Sequence, residues 1–70
     1  MNKVSVQNIY DVVKVDHETR RVSLIANGKK ENDAEAICKL ATLRHGCNDA
    51  FFAVISAGKY QEGDAWAGLI

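Results

Sequence analysis

Residues 32–45, NDAEAICKLATLRH, decide the predicted fold, because every local signal in this stretch indicates one helix. Asn32 is a favourable N-cap residue, and Glu35 follows three positions later, as in a capping box. Arg44 and His45 place cations in the last turn, and Gly46 is suited to end the helix. Apolar residues at helical spacing predict a buried stripe, formed by Ala36, Ile37, Leu40, Ala41 and Leu43.

Two stretches rich in β-branched residues precede the helix and predict a hairpin. Residues 9–16 (IYDVVKVD) and 20–26 (RRVSLIA) alternate in part between apolar and polar side chains, as strands do. The polar link of residues 17–19 is short, so we expect the two strands to be antiparallel neighbours. One face of the second predicted strand carries three apolar residues, Val22, Leu24 and Ala26.

Two segments beside these strands are less regular. Residues 27–31 contain Asn-Gly and then charged residues without strand character, so we interpret them as a loop. Within residues 1–8, Val4 and Val6 alternate with polar residues. This alternation predicts either an extension of the first strand or a separate edge strand.

The C-terminal third predicts a further strand and an irregular end. Residues 50–57, AFFAVISA, are apolar on both faces and too short for a second buried helix, so we expect a buried strand. A turn near Gly58 and Gly63 should follow, and then a short terminal strand or a docked arm over residues 64–70.

These elements predict a single α+β domain over residues 1–70, with the order ββαβ and an optional last strand. The helical connection makes the second and third strands parallel to each other. If the third strand lies beside the first, all neighbouring strands are antiparallel and the sheet order is 2-1-3. One helix then covers one face, and we expect the opposite face to be left uncovered.

The small size of the chain predicts self-association. A domain of 70 residues buries only about 60% of the surface of its unfolded chain, so it usually needs a disulfide, a metal or a partner subunit. Cys38 and Cys47 match no paired zinc spacing, and a helix between them keeps them too far apart for a disulfide. An uncovered apolar sheet face favours a dimer or larger homo-oligomer.

Composition disfavours several classes of partner. Nine basic residues balance nine acidic residues, so non-specific attraction to nucleic acid or to an anionic membrane should be weak. No apolar run approaches the roughly 18 residues of a membrane span. The start of the chain, MNKVSVQN, lacks the apolar region of a secretory signal. We therefore expect a cytoplasmic protein.

Catalytic and metal-binding patterns are weak in this sequence. His45 and Cys47 form the nearest match to a base and a thiol nucleophile, but no third orienting group lies nearby in sequence. His17, Cys38, His45 and Cys47 are the candidate metal ligands, and their spacing matches no structural zinc motif. We expect no catalytic residue, no metal and no cofactor.

The most distinctive segment is residues 58–66, GKYQEGDAW. Tyr60 and Trp66 are of the types enriched in binding hot spots, and Lys59 adds a cation. Arg20 and Arg21 are the other candidate contacts, for an anion. The alternatives are that Trp66 only anchors the C-terminus and that the arginines belong to a solvated face.

No segment resembles a known family specifically enough to transfer a function. The sequence favours a small non-enzymatic binding or interaction module that forms homo-oligomers, as in a bacterial or phage accessory protein that blocks or modulates another protein. The alternative is an oligomer that sequesters a nucleotide-like anionic ligand at a subunit interface. Its candidate residues are Arg20, Arg21, Lys59 and Tyr60.

Overall fold

The computed structural model describes residues 8–46 and 48–68. Its elements are strands β1 (Tyr10–Asp16) and β2 (Val22–Lys29), helix α1 (Glu31–His45) and strand β3 (Ala50–Ser56). The strands form one antiparallel sheet in the order β2-β1-β3. The α+β class, the ββαβ order and the 2-1-3 strand order are confirmed. The expectation for residues 1–8 lies almost wholly outside the described residues.

The β1–β2 hairpin turns over residues 17–19, as predicted. The Asp16 side chain organises this turn, because its Oδ1 accepts the backbone N–H groups of Glu18 at 2.8 Å and Thr19 at 2.9 Å. Such side-chain bonds to the backbone two and three residues ahead are a mechanism by which Asp favours turns. The N–H groups of Thr19 and Glu18 also hold the pKa of the Asp16 carboxyl below its usual value.

Strand β2 extends three residues beyond its predicted end, so the interpretation of residues 27–29 as loop was wrong. Between the pairs Val13–Leu24 and Val12–Ala26, β2 advances two residues while β1 advances one. Such a bulge shifts the alternation. Ala26 therefore lies opposite Val12, on the other face from Leu24, contrary to the sequence pattern.

Helix α1 begins at Glu31 rather than after an Asn32 cap. Lys30 occupies the N-cap position, and no side-chain hydrogen bond caps this end in the described structure. The capping-box prediction was therefore wrong. The predicted C-terminal end is confirmed, since Gly46 adopts φ 73° and its N–H donates to the Thr42 carbonyl at 2.8 Å.

The helix contacts the sheet mainly through small side chains. Ala34 is buried, and Cys38 and Ala41 are half-buried, whereas Leu40 is 60% and Leu43 is 73% exposed. At 3.6 residues per turn, Leu43 lies on the opposite side of α1 from Ala34. The predicted buried stripe was wrong for both leucines and for the exposed Ala36.

The sheet face opposite α1 is covered, contrary to expectation. Its core is formed by Val13, Val15, Val22 and Ile55, and Tyr60 and Trp66 pack against it with Leu24, Phe51 and Ala53. The two aromatics belong to the segment 57–68, which we call the C-terminal arm. The arm crosses back over this face, so the sheet is enclosed between α1 and the arm.

The arm also binds the free edge of β2. Ala65 forms an antiparallel bridge with Arg21. The Val22 N–H donates to the Asp64 carbonyl at 2.8 Å, and the Gly63 N–H donates to the Val22 carbonyl at 2.7 Å. The expected docked arm is therefore present, with one bridge in place of a full terminal strand.

Candidate functional site

Trp66 lies at the centre of an aromatic cluster between the arm and β3. Its ring stacks on Tyr60, with centroids 5.1 Å apart, and meets Phe51 edge-on at 5.5 Å. The Tyr60 hydroxyl accepts the N–H of Ala67 at 3.0 Å. Gly68 lies against the indole so closely that a Cβ there would be 2.6 Å from three of its atoms. The two aromatics suggested by the sequence as binding anchors thus make extensive contacts within the chain.

The structure brings only some of the suggested basic residues together. The backbone carbonyl of Arg20 accepts the backbone N–H of Trp66 at 2.8 Å, and Arg21 Nη1 donates to the Gly63 carbonyl at 3.1 Å. Lys59 is exposed in the turn after β3. Because Ser56 pairs with Tyr10 at the far end of β1 from the hairpin, Lys59 is not gathered with the arginines.

Asp11 is a structural residue that the sequence pattern did not single out. It is only 3% exposed, and its carboxylate accepts the Gly28 N–H through Oδ1 and the Gly58 N–H through Oδ2, both at 3.0 Å. One side chain on the central strand therefore holds the end of β2 and the turn after β3. An acidic residue within an apolar strand was the available signal.

The thiol and imidazole groups do not assemble into a reactive centre among the described residues. Burial raises the pKa of the Cys38 thiol, which favours its protonated form. The His45 ring packs near the Phe52 ring, with the ring centroids 5.8 Å apart. Cys47 lies outside the described residues. In the described ranges no three His, Cys, Asp or Glu side chains are placed to hold a metal ion.

An open polar depression of about 420 Å³ lies at the hairpin end of the sheet. The carboxylate of Asp16 on its rim is already bonded to the turn. The rim mixes both signs of charge, so it does not define an anion or a cation site. Its lining residues are Lys14, Asp16, His17, Glu18, Asn48 and Asp49.

A more distinctive surface is the apolar groove between α1 and β2. It has a volume of about 260 Å³, and Ile25, Ile37 and Leu40 line it with Ala41, Arg44 and His45. Ile25 is 45% exposed, and Leu43 continues the exposed apolar surface along the helix. We call Ile25, Ile37, Leu40 and Leu43 the helix patch. The sequence signal was a second apolar spacing, at Ala36, Leu40 and Leu43, beside the small residues that face the sheet.

The second unoccupied surface is the outer edge of β3. In the part of the chain that the structure describes, β3 pairs only with β1. Its sequence, AFFAVIS, contains no charged residue and no proline. Exposed backbone groups on such a strand are able to pair with another chain.

Comparison of the chain with protein-family models, with curated proteins and with solved structures finds no match. Within residues 8–46 and 48–68, no helix is long and apolar enough to cross a membrane.

Proposed function

We propose that this chain is a small non-enzymatic interaction module that acts by binding and works as a homo-oligomer. The observation that carries the proposal is the helix patch, where Leu40 and Leu43 are 60% and 73% exposed. A single exposed leucine is ordinary on a protein surface. Here Leu40 lines an apolar groove with Ile25 and Ile37, and the exposed Leu43 lies one turn further along α1. Such a continuous apolar surface is typical of a contact surface.

The charges of α1 favour a second copy of the chain as the occupant. Its first turn contains Glu31 and Asp33, and its last turn contains Arg44 and His45. When two such helices pack antiparallel, the acidic end of each lies beside the basic end of the other. A two-fold contact of this kind uses the same patch on both copies. Burial of each leucine contributes about 1.5–3 kcal/mol.

The test combines Leu40→Glu with Leu43→Glu and measures mass by sedimentation velocity. The wild-type chain should sediment as a dimer or larger species, and the double variant should lose this contact because two carboxylates cannot be buried unpaired. Ile9→Glu is the matched control, since Ile9 is 43% exposed but lies outside the patch. A wild-type monomer at all accessible concentrations, or a double variant with wild-type mass, would contradict the proposal.

The wider role that we propose is that of a cytoplasmic accessory protein that blocks or modulates another protein. A reducing compartment suits the free thiol of Cys38. The anion-sequestering alternative has less support, because Arg21, Tyr60 and Trp66 already bond or stack within the chain. A thermal-shift series with ATP and GTP tests that alternative, since a bound ligand raises the melting temperature.

A further inference from the structure

The edge of β3 that no other described strand pairs with has a defined set of backbone groups. Two hydrogen bonds beyond its ends fix the pattern: the His17 N–H donates to the Asp49 carbonyl at 2.9 Å, and the Ala57 N–H donates to the Ile9 carbonyl at 3.2 Å. In an antiparallel pair, hydrogen-bonded positions alternate with positions whose groups point away. Odd-numbered residues of β3 therefore bond to β1.

The even-numbered residues present their backbone groups to the outside. The N–H and C=O of Phe52 and Val54 point away from β1, and so do those of Ala50 near the start of the strand. The Ser56 carbonyl is already used, because it accepts the Lys59 N–H at 3.1 Å. With respect to residues 8–46 and 48–68, the hydrogen-bonding positions that stay open are thus centred on Phe52 and Val54.

The two edges of the sheet differ in their protection. The β2 edge is bulged and is bound by the arm through Arg21 and Ala65. Along β3 the register with β1 is unbroken from Ala50 to Ser56. Charges, prolines, bulges and covering segments are the usual protection of edge strands, and β3 has no charge, proline or bulge.

We infer that β3 pairs antiparallel with β3 of a second copy, so that the two three-stranded sheets join into one. The strand is self-complementary when Ala53 lies opposite Ala53 of the second copy. Phe52 then lies opposite Val54, so the outward backbone groups of the two copies meet and bond. Phe51 lies opposite Ile55 on the other face, and both are pairings of an aromatic with a β-branched residue that stabilise sheets.

This contact goes beyond the proposed function, because it depends on the sheet edge and not on the helix patch. A two-fold axis that passes between the two Ala53 residues, perpendicular to the sheet, places both helices on one face and both arms on the other. The groove of the helix patch lies between α1 and β2, at the far side of the sheet from β3. Either contact alone gives a dimer, and both together give a tetramer or a longer chain.

Val54→Pro tests the edge contact, because it removes an N–H that points outward and breaks no bond to β1. Proline is tolerated at such edge positions. We expect the variant to keep its circular dichroism spectrum and to sediment with half of the wild-type mass or less. Ala53→Pro is the matched variant: it removes an N–H that bonds to β1, so we expect it to unfold.

Amide hydrogen exchange provides a second measurement that does not depend on a proline variant folding. In the wild-type assembly the N–H groups of Phe52 and Val54 should exchange at least tenfold more slowly than in dilute monomer. Fast exchange of both amides in the assembled protein would overturn the inference, and so would wild-type mass in a folded Val54→Pro variant.

The two proposals fail separately. If Val54→Pro keeps the wild-type mass while Leu40→Glu/Leu43→Glu lowers it, the edge contact is wrong and the helix contact stands. The reverse result retains the edge contact alone. A wild-type monomer overturns both.

Discussion

Single residues hold this small sheet together at points that local sequence patterns do not reveal. Asp11 bonds to Gly28, 17 positions away, and to Gly58, 47 positions away. Both glycines have positive φ, 66° and 80°, which turns their N–H groups toward the carboxylate at little steric cost. By contrast, the turn at Asp16 and the helix end at Gly46 were predictable, since their partners lie within four residues.

At this scale we predict that Asp11→Ala lowers the free energy of unfolding by about 2 kcal/mol or more. The change removes two hydrogen bonds to a charged group, and each such bond contributes about 1.5–3 kcal/mol. Urea denaturation at neutral pH measures the effect. Asp33→Ala, at an exposed carboxylate in the first turn of α1, is the control. Equal stability of the two variants would show that the carboxylate does not hold the neighbouring strands.

Elements were predictable where their signal is periodic and less so where they depend on packing. The three strands follow from their spacing and the C-terminal end of α1 follows from Gly46, but the N-cap and the orientation of α1 do not. Small residues allow the helix to approach the sheet closely, so Ala34 is buried and Leu43 faces outward. The arm has no periodicity, and its position depends on Trp66 fitting between Tyr60 and Phe51.

For the arm we predict that Trp66→Ala lowers the free energy of unfolding by about 3 kcal/mol. This value is at the low end for removal of a large aromatic side chain, because Trp66 is only half-buried. Equilibrium urea unfolding measures the loss, and sedimentation at a concentration where the variant stays folded measures assembly. Lys59→Ala, in the exposed turn of the same arm, should change neither quantity. Unchanged stability with lost assembly would instead make Trp66 a binding anchor.

At the scale of the whole molecule, the described residues cover both faces of the sheet and part of one edge, and they leave the other edge open. Helix α1 covers one face, the arm covers the other face and the start of the β2 edge, and the outer edge of β3 remains unpaired within the described residues. Connection rules allowed the strand order to be predicted. They do not specify which surface remains open, because that depends on where the irregular arm packs.

This arrangement predicts a melting temperature that depends on protein concentration. Association that occurs only between folded chains shifts the folding equilibrium by mass action, so the wild-type melting temperature should rise with each tenfold increase in concentration. The triple variant Leu40→Glu/Leu43→Glu/Val54→Pro lacks both proposed contacts, and its melting temperature should be lower and independent of concentration. Differential scanning calorimetry over a hundredfold concentration range tests this. A concentration-independent wild-type transition would mean that α1, the arm and three strands suffice for stability, and that neither surface is used between copies.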